Sequence, residues 1–226
     1  LRENDLEDNT LVIYCSDHGE QVGEHGLWWK QTFYEDSVKV PAILSWPGRL
    51  PEGTSCDKVI SSLDLNATMI DALECPALPH SRGRSLLPLL TDPDNVEWDN
   101  VAFSEFCQNK SGGGGPFSEE GVYQRMIRRD NFKLNYYHGL PCQLFDLGAD
   151  PRELNDLVGD PAYAETVAKL KAEVLDGWDP DGIRAKMHAL GRDLALQTAW
   201  TRNVQPPDSI RWKMKPEMSY LDDEQI

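Results

Sequence analysis

Residues 10–15, Thr10-Leu11-Val12-Ile13-Tyr14-Cys15, form an unbroken run of apolar and β-prone side chains. A run without polar alternation predicts a strand buried on both faces, as in a parallel sheet. It stops at Ser16-Asp17-His18-Gly19. In open α/β sheets ligands bind beyond the C-terminal strand ends, so a polar cluster there is well placed for chemistry. A second apolar run covers 38–46, with Pro41 marking a strand start or an edge. The connection between them, 19–37, is long and holds Gly23, Gly26, Trp28 and Trp29. Connections of that length in a compact domain are often functional. Turns follow at Pro47-Gly48 and Pro51-Glu52-Gly53, then a helix with Asp64 as its expected N-cap and Leu65, Met69 and Leu73 on one face. Leu86-Leu87-Pro88-Leu89-Leu90 is a short apolar segment after a turn at Gly83, and residues 1–7 read as the end of a helix.

From about Asn100 the pattern shortens. Runs at 101–106, 123–128, 132–137 and 143–145 predict strands of a small antiparallel sheet, with Arg129-Asp130-Asn131 as a hairpin connection. Ser111-Gly112-Gly113-Gly114-Gly115-Pro116 is expected to interrupt the sheet as a mobile loop. Asp160-Pro161 starts a helix whose stripe is Tyr163, Val167, Leu170 and Val174, and Gly177 stops it. A second helical stripe runs through Ile183, Met187, Leu190 and Leu194 before a Pro-, Lys- and Asp-rich tail from Pro206. The chain divides into an α/β part at 1–98, a small antiparallel subdomain at 99–157 and a helical part at 158–226.

Composition narrows what this architecture does. The 226 residues are 40% hydrophobic and 27% charged, enough apolar material for a core without disulfide staples. No run approaches the roughly 18 apolar residues of a membrane span. The net charge of −16 argues against nucleic-acid binding, because such a surface repels phosphate backbones. An anionic substrate would need a local positive site, made by a metal and a few cations. Cysteines 15, 56, 75, 107 and 142 show no CxxC pair and no zinc spacing, which suits reduced, mostly buried thiols. That pattern leans to the cytoplasm over the periplasm and leaves the compartment open.

Asp17 and His18 are the first candidates for chemistry. Neighbours on an ideal strand point apart, but a strand-to-loop break can turn both to one point. Carboxylate and imidazole together suit a divalent cation: Ca2+ by charge and oxygen, Mn2+ or Zn2+ if the imidazole dominates. The plainer alternative has Asp17 capping a turn and His18 on the surface. Lys30 is by default a solvated loop lysine. His25 either lines a pocket or bonds a loop carbonyl. Glu105 either receives a cationic group or is an ordinary strand charge, and Trp28 and Trp29 either wall a cation or pack the loop.

The stretch from Ser16 through Lys30, then Phe33-Tyr34-Glu35 and Val40-Pro41, resembles the second signature region of sulfatases in the alkaline phosphatase superfamily. Trp46-Pro47-Gly48, Ser62-Leu63-Asp64-Leu65 and Arg82-Gly83-Arg84-Ser85-Leu86-Leu87-Pro88-Leu89-Leu90 follow the same pattern. So do Arg125-Met126-Ile127-Arg128 with Lys133-Leu134, Leu144-Phe145-Asp146-Leu147 and Glu153-Leu154-Asn155-Asp156-Leu157. Several ordered motifs over some 150 residues are more specific than any one alone.

The resemblance implies the C-terminal half of such an enzyme. Its fold would be α/β: part of a mainly parallel, alkaline-phosphatase-like sheet, then a small antiparallel sheet and C-terminal helices. Asp17 and His18 match ligands of one divalent metal, Ca2+ first, with Mn2+ or Mg2+ as alternatives. Lys30 matches the lysine on the sulfuryl oxygens, and His25 and Glu105 are further candidates for substrate contact. The Asp-His pair resembles the bacterial branch of choline sulfatases and phosphonate or phosphodiester hydrolases, whereas many sulfatases carry Asn at the position of His18.

The family's nucleophile is a formylglycine made within Cys/Ser-x-Pro/Ala-x-Arg. No cysteine here begins that motif; Cys75 is followed directly by Pro76. The motif and the remaining metal carboxylates are therefore expected upstream, and this chain alone is expected to be inactive. The implied reaction has the hydrated formylglycine oxygen attack sulfur of a small sulfate ester while metal and Lys30 stabilise charge. Two other readings compete: a phosphonate or phosphodiester hydrolase of the same superfamily, and a non-catalytic ligand- or partner-binding domain. The C-terminal helices and tail would suit homo-oligomer contacts or a core.

Overall fold

In the computed structural model, which describes residues 1–108 and 121–204, the apolar runs build two sheets. Val12–Cys15 (β1) pairs with Ala42–Ser45 (β2), Val12 opposite Ser45 and Cys15 opposite Ala42. Val101–Gln108 (β3), Val122–Arg129 (β4), Phe132–Tyr137 (β5) and Gln143–Asp146 (β6) form a meander in that order. The α/β class, the antiparallel sheet and the C-terminal helices stand. The first pairing differs from expectation, because β1 and β2 run antiparallel and Tyr14 is 62% exposed. An apolar run reports the chemistry of a strand's own faces and carries nothing about the direction of its neighbour.

Ser62–Ala72 (α2) packs on this first sheet. Its N-cap is Ser61, not Asp64: Ser61 Oγ accepts from Leu63 N, and the buried Asp64 reaches back to accept from Ser61 N at 2.8 Å, closing a capping box. Leu65 is buried, while Met69 and Leu73 face solvent, so the apolar face is narrower than its spacing suggests. The short helix Leu87–Thr91 (α3) adds Leu89, and Leu65, Leu86 and Leu89 make a small core against Ile13 and Leu44. Gly83 is required here, since a Cβ would fall on the carbonyl of Leu63. The first residues form two short 3-10 turns, Arg2–Asn4 and Glu7–Asn9.

The second sheet is covered on both faces. Ile127, Leu134 and Leu144 pack with Leu170 and Val174 of Ala164–Leu175 (α4), each almost fully buried. Asp160 caps the turn before α4 by accepting from Ala162 N at 2.9 Å, and Gly177 follows the helix at φ 63°. The opposite face carries Lys133, Asn135 and Phe145, also buried, and meets the segment around residues 33–35. Pro180–Val204 (α5) is a 25-residue helix with no buried residue, and Leu190 and Leu194 are exposed. Those positions are therefore not core. The Gly-rich segment at 111–116 and the tail from Pro206 lie outside the described residues. Among the described residues no helix is long and apolar enough to cross a membrane.

Candidate functional site

The strand-to-loop break at the end of β1 brings Asp17 and His18 together. Ser16 Oγ donates to the His18 carbonyl at 2.8 Å, and Asp17 Oδ1 accepts from His18 N at 3.0 Å, a tight turn made by polar side chains on their own backbone. As a result Asp17 Oδ2 stands 3.5 Å from His18 Nε2. His18 Nδ1 lies 2.7 Å from the Gly19 carbonyl, which can only accept, so the proton belongs on Nδ1. In the neutral ring Nε2 then carries the free lone pair, 3.5 Å from a carboxylate oxygen. Two electron-pair donors so placed suit a cation between or beside them, and a ring N–H on a backbone carbonyl is the usual support of a metal-bound histidine. Among the described residues no group of three or more His, Cys, Asp or Glu side chains could hold a metal, so Asp17 and His18 form a pair of candidate donors and not a complete coordination shell.

Lys30 lies on the loop that follows and is exposed, as are Trp28 and Trp29 at 70% and 69%. Its backbone is tied to the metal-ligand candidates through one residue: Ser37 Oγ donates to the Lys30 carbonyl at 2.7 Å, and the Ser37 carbonyl accepts from Gly19 N at 2.8 Å. Gly19 is needed there, because a Cβ would fall on the carbonyl of Asp36. His25 sits in the left-handed region at φ 53° and stacks on Tyr34, ring centroids 3.8 Å apart and 10° from parallel. That contact ties His25 to loop packing. The outer tip of the loop is held by Arg152 on Glu24 at 2.8 Å.

Glu105 is not brought to this loop. It pairs across the sheet with Arg125, and residues directly opposite share a face. Arg125 donates to the Val174 carbonyl of α4 and lies over the Phe103 ring, so Glu105 occupies the α4 side while the loop occupies the other. Its nearest thiol, Cys107 at 3.6 Å, is pushed up to about 11 by burial and then by the Glu105 charge, which leaves it protonated near neutrality. The cysteines also depart from expectation: all five are free, but Cys15, Cys56 and Cys75 are exposed and none is fully buried.

One serine does open the formylglycine spacing, Ser45-Trp46-Pro47-Gly48-Arg49, which a search over cysteines alone passes by. The fold removes it from this site. Ser45 stands opposite Val12 at the start of β1, and three residues of strand to Cys15 already separate it from the Asp17 end by about 10 Å. Arg49 lies over the Trp46 ring, 5.3 Å from its centroid, as part of that turn. Ser45 borders a cleft of about 620 Å³ lined by Ile43, Leu50, Ile60, Leu86 and Leu90, which contains none of Asp17, His18, His25 or Lys30.

The residues that sequence reasoning missed are Ser37, Glu35, Lys133 and Glu153. Glu153 is nearly buried at φ 54°, and Lys133 is 0% exposed. Lys133 Nζ reaches the Phe33 carbonyl at 2.7 Å, Glu35 Oε1 at 3.0 Å and Glu153 Oε1 at 2.5 Å. Glu35 also pairs with Arg128 at 3.0 Å.

Comparison with known proteins gives the family. The family model described as N-sulphoglucosamine sulphohydrolase, C-terminal, matches residues 23–178. A choline-sulfatase of Rhizobium meliloti is 36% identical over 171 residues, covering 73% of this chain and 30% of that protein. Arylsulfatase K of Gallus gallus is 34% identical over 179 residues, 75% of this chain and 31% of its own. Among solved structures, the phosphonate monoester hydrolase of Silicibacter pomeroyi superposes with a TM-score of 0.69 at 29% identity, over 78% of this chain and 36% of that one. The chain thus spans about a third of the length of the curated relatives it matches.

Proposed function

The chain belongs to the sulfatase family of the alkaline phosphatase superfamily, and from that premise we propose that it forms part of a sulfuric ester hydrolase acting on small sulfate esters. In this reading Asp17 and His18 hold one divalent cation, Ca2+ by preference and Mn2+ or Mg2+ as alternatives. The observation that carries it is the 3.5 Å approach of Asp17 Oδ2 to His18 Nε2, with Nδ1 engaged by Gly19. When bound, such a cation supplies positive charge to the sulfuryl oxygens. Lys30 adds an ammonium to the same anion, which the −16 background of the chain makes necessary. His25 keeps the loop in shape from its stack on Tyr34. Formylglycine and the remaining carboxylate ligands are then contributed by other parts of the enzyme.

Removing the ammonium tests the reading. Lys30→Ala in the complete enzyme should lower kcat/KM for an aryl sulfate by about a hundredfold or more, with an unchanged melting temperature, since Lys30 is exposed and its backbone carbonyl makes the contact to Ser37. Unchanged kinetics would remove Lys30 from the reaction. The purified 226-residue chain should show no aryl sulfate turnover above buffer, and measurable turnover there would mean the chemistry needs nothing beyond these residues. A phosphonate monoester hydrolase is the second reading, favoured by the 0.69 superposition; the ratio of kcat/KM for an aryl sulfate and a phenyl phosphonate monoester decides between them.

A further inference from the structure

The loop that carries Lys30 is poorly anchored by apolar burial. Between residues 19 and 38 the one buried hydrophobic side chain is Phe33, and both tryptophans face solvent. What ties the loop to the second sheet is charge. Lys133 Nζ donates two hydrogen bonds, both to the loop, at the Phe33 carbonyl and Glu35, and is paired by charge with Glu153. The second oxygen of Glu153 accepts from Glu35 N at 2.6 Å, at the start of the single helical turn Glu35–Val38 (α1). That turn contains Ser37, 2% exposed, whose hydroxyl and carbonyl hold Lys30 and Gly19.

We propose that the buried Lys133–Glu35–Glu153 cluster on the second sheet sets the position of Lys30 relative to Asp17 and His18, acting through Ser37. Lys133 and Ser37 are positioning residues; neither touches the anion. The inference rests on the sulfatase reading for its kinetic consequence but not for its structural one. Buried ion pairs contribute little net stability compared with apolar packing, while their fixed hydrogen-bond partners restrict the segments they join to one arrangement. A shift of about 1 Å in a positioned group can cost about a hundredfold in rate, so a device of this kind acts on turnover more than on binding.

The test is a double-mutant cycle in the complete enzyme, joined to hydrogen exchange on the 226-residue chain. Lys133→Met and Ser37→Ala should each lower kcat about tenfold or more with KM within about threefold. In a Lys30→Ala background the same two changes should cost less than about twofold, because they act through Lys30. Equal losses in both backgrounds overturn the proposal, as does an unchanged kcat in the enzyme that retains Lys30. Exchange at the Gly19 and Glu35 amides should quicken in Lys133→Met while the Leu144 amide stays protected; unchanged exchange at 19 and 35 also overturns it. If Lys133→Met loses protection in the sheet, Ser37→Ala carries the cycle, since it removes one hydroxyl and leaves the charges in place. If Lys30→Ala itself leaves kinetics unchanged, the sulfatase role of Lys30 fails separately, and the cluster stands or falls on the exchange result.

Discussion

The two sheets of this chain differ in how fully they are packed. The sheet of β3 to β6 is closed on one face by α4 over Ile127, Leu134 and Leu144, all 0% exposed, and on the other by a polar interface. The pair β1 and β2 has a small core on one side through Ile13 and Leu44, while Tyr14 and Ile43 stand in solvent on the other. Yet Asp17, His18 and Lys30 all belong to the thinner region. A strand end with exposed polar turns leaves side-chain oxygens and nitrogens open to solvent. A closed core would have spent those groups on internal hydrogen bonds. The second sheet then meets that region through Lys133, which donates to the Phe33 carbonyl and to Glu35.

The largest test of this contrast compares equal deletions. Leu144→Ala should destabilise the chain by about 2–5 kcal/mol in a urea titration, from lost burial plus the cavity left behind. Ile43→Ala, at a position 60% exposed, should cost less than about 1 kcal/mol. Similar costs would mean that the two regions are not differently packed. Next in size is Gly19→Ala. The new methyl meets the Asp36 carbonyl, so the change should cost about 1–3 kcal/mol and expose the Gly19 amide to exchange, with the core around Leu134 unaffected.

The smallest effect sharpens the link between the regions. Burial pushes the Glu153 carboxyl above its ordinary 4.5, against the pull of Lys133. The folded state therefore holds that proton more tightly than the unfolded chain does. The resulting stability is fully present below pH 4.5 and is lost as pH rises through the folded pKa. Glu153→Gln lacks this titration, so its stability relative to the parent should be flat below that range and rise across it. A relative stability that falls across the same window would mean the Lys133 charge outweighs burial.

Much of the candidate site was legible because its residues are contiguous. Ser16-Asp17-His18-Gly19 announces a polar break after an apolar strand, and one turn suffices to bring carboxylate and imidazole to 3.5 Å. The meander was equally readable from short runs and turn residues, and α4 from Asp160, its stripe and Gly177. Harder to read was anything set by distant neighbours. Met69 and Leu73 share a helical face with Leu65 by spacing, but nothing covers them among the described residues. Glu105 lies on a strand in the expected sheet, and only the pairing with Arg125 shows which face it occupies.

The sequence by itself determined most of the strands and helices and the local pair Asp17–His18, because each depends on residues within a few positions of one another, and it determined the family through ordered motifs spread over some 150 residues. Tertiary structure alone decided that β1 and β2 run antiparallel, that Ser45 sits at the wrong end of its strand, and that Lys133 is interior. The last case shows why. Phe132-Lys133-Leu134-Asn135 alternates as a strand with one solvated face does, yet both faces are covered. Period-two alternation separates polar from apolar positions. Whether the polar face meets water or a loop 98 residues away, as Lys133 meets Glu35, is set by packing that no local pattern encodes.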